Sequence, residues 1–189
     1  MKKRILIVSL AVICIVIGAC STIAYFTADD TATNVITAGN VKIELQENMI
    51  AKESGETVAF QDQAGVMPGS EVSKIVQIKN TGDQPVYVRI RMDKAIALAD
   101  DVQGEADLAL VSFDIDTEHW ILQDGYYYYN AALPAGEVTV PFFTKVTFAK
   151  DMDNKYQNSE TTVHIDAAAT QCANNGADAL HAAGWPDAE

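Results

Sequence analysis

Three histidines, the cysteine Cys172 and several acidic pairs are the side chains of this chain whose types could support catalysis or metal binding. A hydrolytic zinc site calls for closely spaced ligands, commonly two histidines one helical turn apart with a glutamate acting as base. His119, His164 and His181 are scattered instead, with no such pair among them. A serine nucleophile of the elbow type would need Gly-x-Ser-x-Gly, and that pattern does not occur. A thiol dyad of Cys172 with His164 fails on reach: on one regular strand the two share a face but lie far beyond hydrogen-bond distance. Cys172 reads as a small buried hydrophobe, with an intermolecular bridge or a reactive thiol as the alternatives. Asp151-Met152-Asp153-Asn154 alternates oxygen ligands as a calcium loop does, but Lys155 and Tyr156 replace the third ligand and the glycine. Asp151 and Asp153 are thus candidates for no more than a weak loop Ca2+, and Asp114 and Asp116 read as solvated charges. No catalytic residue and no resident cofactor are expected.

The N-terminus sets the compartment in which such residues would work. Lys2, Lys3 and Arg4 form a short positive region ahead of the apolar run Ile5 to Ala19, broken only by Ser9 and Gly18. The run is too short, and too near the chain start, for a spanning helix with flanks on both sides. Ser21-Thr22-Ile23-Ala24 places small residues where a signal peptidase reads them, so cleavage between Ala24 and Tyr25 is expected. Two other readings stay open: an uncleaved N-terminal anchor, and a lipoprotein acylated at Cys20 within the loose lipobox Ile17-Gly18-Ala19-Cys20.

Removal of residues 1–24 takes three of the 13 basic residues and none of the 26 acidic ones, leaving ten against 26 and a net charge of −16. Such a polyanion repels nucleic acid and anionic lipid, so no nucleic-acid partner and, after cleavage, no membrane contact are expected. The expected location is secreted, in an extracellular matrix or at the cell surface. A single cysteine in an exported chain leaves no intramolecular disulfide, and packing must hold the fold.

The elements that would position any site are strands. Of 189 residues, 165 remain after the leader, enough for one domain with its own core. The dominant hydrophobic period is two. Val41, Ile43 and Leu45 alternate with Lys42 and Glu44; Val72 to Lys79 follows the turn Met67-Pro68-Gly69-Ser70; Val86, Val88, Ile90 and Met92 alternate with Tyr87, Arg89 and Arg91. Residues 95–107 are richer in alanine and acid and read as a short helix or a loop. Strand signals return at Leu108–Ile115, and Trp120–Gln123, Asp124-Gly125 and Tyr126–Tyr129 spell a hairpin, because Asp-Gly accepts the positive φ angles of a tight turn. Phe142, Val146 and Phe148 mark a further strand and Val163, Ile165, Ala167 and Ala169 a last one; Ala177 to Ala183, stopped by Gly184, reads as a short helix. Together these predict an all-β, antiparallel β-sandwich over residues 37–189 with a short C-terminal helix, preceded by an N-terminal signal helix and a flexible segment over 25–36. The aromatic strand Tyr126, Tyr127, Tyr128 and Tyr129 is expected to show alternate rings to solvent.

Several of these blocks, in their order along the chain, resemble the TasA/camelysin family. Ala24-Tyr25-Phe26-Thr27-Ala28-Asp29, running on through Asn34 to Leu45, resembles the start of its members, just before which a signal peptidase of the SipW type removes the leader. Met67-Pro68-Gly69-Ser70-Glu71 followed by Val76 to Gly82 is similar to the family's turn, strand and Asn-x-Gly block, and Trp120, Asp124 to Tyr129 and Leu133 to Glu137 match a pattern of its smaller members. The resemblance implies a jelly-roll-like fold and a place in the extracellular fibres of Gram-positive biofilms, with the chain itself or a related fibre subunit as partner. It also implies that the segment carrying Tyr25, Phe26, Val35 and Ile36 is donated as a strand to the next subunit; the competing reading of the same segment is a frayed terminus or an intramolecular edge strand. This chain is shorter than the best-known fibre subunit, and some small relatives are accessory or anchoring subunits. Two alternatives accompany that reading: a monomeric surface binding module working through its exposed tyrosines, and a camelysin-like metalloendopeptidase.

Overall fold

The computed structural model describes the backbone of residues 26–30 and 34–37 and the whole of residues 41–186. The expected signal helix, the cleavage site at Ala24 and Tyr25, and Cys20 lie outside the described residues. Twelve strands follow in order: β1 (Phe26–Asp30), β2 (Asn34–Thr37), β3 (Ile43–Ile50), β4 (Thr57–Ala59), β5 (Gln63–Val66), β6 (Glu71–Asn80), β7 (Val86–Ala97), β8 (Val111–Phe113), β9 (Trp120–Gln123), β10 (Tyr126–Tyr129), β11 (Phe143–Phe148) and β12 (Glu160–Gln171). They form two sheets. One runs β5-β1-β12-β7-β10-β9, with β2 also on β12; the other runs β4-β3-β6-β11-β8. Every pairing is antiparallel except those of β1 and β2 with β12. Among the described residues no helix is long and apolar enough to cross a membrane.

Alternation builds both sheets. On β6 the inward set is Val72, Lys74, Val76, Ile78 and Asn80, all buried. On β12 it is Thr161, Val163, Ile165, Ala167 and Ala169, and on β7 it is Val86, Val88 and Ile90. The apolar members of these sets meet in one hydrophobic cluster with Trp120, Phe142, Phe143 and Phe148, so each sheet removes the other's apolar face from water. Asn80 ends β6 with its amide fully buried. Its Nδ2 donates to the carbonyls of Gln84 at 2.8 Å and Leu133 at 3.0 Å, and its Oδ1 accepts from the Gly82 amide at 2.9 Å, which folds Asn80-Thr81-Gly82 into the turn its sequence predicts. Asp124 and Gly125 take φ of 51° and 82°, as a two-residue hairpin between β9 and β10 requires.

Three expectations change, and two strands appear that none foresaw. β7 continues to Ala97 through the start of the stretch read as helix or loop, because Lys94 and Ile96 prolong the alternation that β12 pairs residue for residue up to Glu160 opposite Ala97. The strand expected over Leu108–Ile115 contracts to β8, preceded by one 3₁₀ turn at Leu108–Leu110 capped by Asp107. β4 and β5 were not legible; their three and four residues are too few to show a period. The C-terminal helix is a single 3₁₀ turn, Ala179–His181, with Asp178 accepting from the His181 amide at 3.0 Å. So short a helix does not repay nucleation, and the tail is instead drawn flat on the sheet: Asn175 Oδ1 accepts from the Ala183 amide at 2.7 Å and the Tyr87 hydroxyl donates to the Gly176 carbonyl at 3.0 Å.

Candidate functional site

The feature best placed to do something is the free side of β12. One edge of β12 is fully used by β7, with twelve Cα partners from Glu160 opposite Ala97 to Gln171 opposite Val86. The other edge carries only the N-terminal segment. β1 lies parallel on it with Thr27 to Asp30 opposite Glu160 to Val163, and β2 follows with Asn34 to Thr37 opposite Asp166 to Ala169. β1 is also held on its far side by β5, with Phe26 opposite Val66 and Ala28 opposite Gln63. Residues 26–30 therefore fill a slot between two strands, whereas residues 34–37 lie on an edge. The candidate donor positions Phe26, Val35 and Ile36 all fall within these two blocks; Tyr25 lies outside the described residues.

A polar pair sits beneath the slot. Lys74, only 3% exposed, projects from β6 into the space between the sheets. Its Nζ lies 2.9 Å from Glu47 Oε1 and 3.8 Å from the centroid of the Phe60 ring. Phe60, Val72, Lys74, Thr161 and Val163 line one small cavity there. An ion pair withdrawn from water costs its desolvation and is retained only where the geometry is good. Sequence reasoning missed both residues. The available signal was parity: Glu47 continues the Ile43-Leu45 set and Lys74 interrupts the Val72-Val76-Ile78 set, each placing a charge where an apolar residue belongs.

The tyrosine strand does not display its rings. Tyr128 is buried and the other three are half-buried. Tyr127 packs on Phe142 and Tyr129 on Trp120, at centroid distances of 4.8 Å and 5.1 Å. On the opposite face, Tyr126 and Tyr128 are covered by the C-terminal tail. Trp185 meets Tyr128 edge-on at 5.7 Å, and the Arg89 guanidinium lies 4.0 Å from the Tyr126 ring and 4.8 Å from the Trp185 ring while donating to the Pro186 carbonyl at 3.0 Å. Both faces of this strand are thus committed to packing, one on Phe142 and Trp120 and the other under a tail that the sequence reads as a short helix.

Each histidine is paired locally with an aspartate. His119 Nδ1 is 2.8 Å from Asp116 Oδ2, His164 Nε2 is 3.0 Å from Asp166 Oδ1, and His181 Nδ1 is 2.7 Å from Asp178 Oδ1. Among the described residues no three His, Cys, Asp or Glu side chains stand close enough to hold a metal ion. Asp153 caps the 3₁₀ turn Asn154–Tyr156, accepting from the Lys155 amide at 2.9 Å. Asp151 is exposed. Cys172 is half-buried beside Tyr87, Tyr128 and Ala179, and burial pushes its thiol up, away from the thiolate a nucleophile needs. No family model, curated protein or solved structure matches this chain.

Proposed function

We propose that this chain is a secreted structural subunit, major or accessory, of extracellular fibres, of the TasA/camelysin kind, and that its two sheets form a jelly-roll-like β-sandwich. Its partner is a second copy or a related fibre subunit, and its working part is the N-terminal segment. The observation that carries this reading is the slot on β12. Residues 26–37 make their strand pairings with β12 and β5, and they precede the first strand of the second sheet. The same segment could enter the slot of a neighbouring subunit without dismantling the rest of the domain. Main-chain hydrogen bonds then supply affinity and the inward positions supply register. Donation from head to tail does not close on itself, so it yields filaments. The binding-module alternative drew on tyrosines that here serve the packing of the strand and the tail, and the metalloendopeptidase alternative drew on ligands that stand apart.

The test compares a protein beginning at Tyr25 with one beginning at Thr37, each followed by sedimentation and negative-stain electron microscopy. Only the longer protein is expected to form filaments. A synthetic peptide of residues 25–36 added to the shorter one should bind and raise its melting temperature, because it refills the slot. Filaments from the shorter protein, or a longer protein that stays monomeric under all conditions that keep it folded, would sink the proposal.

A further inference from the structure

We propose that the buried Lys74–Glu47 pair selects which strand occupies the seat on β12, by favouring an acidic residue at the register position held by Asp30. This rests on the strand-donation reading and adds the feature that tells a correct strand from any other extended segment. A ladder of main-chain hydrogen bonds is the same for every sequence, so the edge of β12 does not discriminate by itself. Discrimination falls to the positions on the inward side. Residues opposite each other in a parallel ladder lie on the same side of a sheet. Along β1 the inward partners on β12 are Thr161 and Val163, opposite Ala28 and Asp30. Thr161 and Val163 line the same cavity as Lys74.

An aspartate at an inward register position is costly unless a cation receives it. An ammonium carries three donors, enough to serve a second carboxylate beside Glu47. Glu47 holds the lysine in place, 2.9 Å away, and the Phe60 ring flanks it at 3.8 Å. Asp29 provides an internal comparison: its register position is opposite Thr162, which alternates with the cavity-lining Thr161 and Val163. A neutral segment, or one with its acid shifted by one residue, would bring no carboxylate to the register position opposite Val163 and is disfavoured.

The experiment uses the whole mature chain and reads amide hydrogen exchange at Glu160 to Val163, which reports the seat whether the strand comes from the same chain or another. Asp30→Ser is expected to lower protection there ~10-fold, the usual scale for losing a charged partner, while Asp29→Ser leaves it unchanged. Lys74→Met, made together with Glu47→Gln so that no carboxylate is stranded, should abolish the effect of Asp30→Ser, the signature of direct coupling in a double-mutant cycle. Additive losses, or equal effects of Asp29→Ser and Asp30→Ser, would overturn the inference. The comparison of the two aspartate variants remains decisive even if the Lys74 variant does not fold. Filament formation is scored separately: coupling without filaments removes the fibre reading and keeps the selection, whereas filaments without coupling do the reverse.

Discussion

Asp114 shows how an acidic residue that reads as a solvated charge becomes structural. Its Oδ1 accepts from the amides of Thr144 at 2.9 Å and Lys145 at 2.8 Å, and its Oδ2 from the Thr144 hydroxyl at 2.5 Å, fastening the end of β8 to the start of β11. Burial pushes its carboxyl up, but the Thr144 hydroxyl and the amides outweigh it, and the net direction is below the ordinary 3.8. A carboxyl depressed in the folded state contributes stability that is present above the ordinary aspartate range and is lost as pH falls through the depressed value. Asp114→Ala is therefore expected to cost about 1 kcal/mol at neutral pH, and the gap to the unaltered protein should close on the acid side, below the ordinary 3.8. Urea denaturation at neutral and acid pH reads both; a gap that widens on acidification contradicts the assignment. Asp116 behaves alike. Burial raises it, while the His119 ring and the amides of His119 and Glu118 bring it down overall.

At the scale of the element, the C-terminal tail is the least expected part of the molecule. It is drawn across β7 and β10 by Tyr87, Arg89, Tyr128 and Trp185, forming a second cluster apart from the main core. Gly176 permits this path. A Cβ there would stand 2.3 Å from the His181 carbonyl oxygen, closer than any real contact, and backbone rather than a flexible side chain would have to give way. Gly176→Ala should lift the tail and cost ~1–3 kcal/mol, the range for a forced overlap. The expected signs are an exposed Trp185, read by iodide quenching, and faster proteolysis after the last strand, with β6 amides still protected. Unchanged quenching would show that the tail is not anchored as described. The tail also covers Thr170, whose hydroxyl donates to the Ala183 carbonyl at 3.1 Å, and with Thr170 buried beside Ala169 this end of β12 loses its alternation.

For the whole molecule, charge is the dominant long-range property. The chain carries a net charge of −13, and residues 25–189 by themselves −16, which opposes the approach of two copies, and exposed charges are screened over ~10 Å at 0.1 M salt. If subunits join by strand donation, assembly should be faster in about 0.5 M than in about 0.02 M sodium chloride, because added salt removes repulsion while the main-chain hydrogen bonds of the seat are insensitive to it. Light scattering at the two concentrations measures this. Slower assembly at high salt would point to complementary charge at the junction instead.

The sequence alone determined the all-β class, the strand at β6, the alternating apolar residues of β7 and of Val163 to Ala169 on β12, the β9–β10 hairpin and the Asn80 turn. Each depends on neighbours a few residues apart, where the two-residue period and the φ demands of Asn, Asp and Gly act directly. Phe26, Val35 and Ile36 read as part of a flexible segment, a strand there being only what the family resemblance implies, and nothing local names the edge they would find. Only the tertiary structure decided that β12 offers that edge, that β5 closes it into a slot, and that Lys74 and Glu47 meet beneath it. Only packing decided that the tyrosine strand is covered on both faces. These outcomes join residues far apart in the chain, as Asp30 opposite Val163 shows. A local period fixes which side of a strand faces inward; which strands become neighbours is settled by burying the faces of two whole sheets at once.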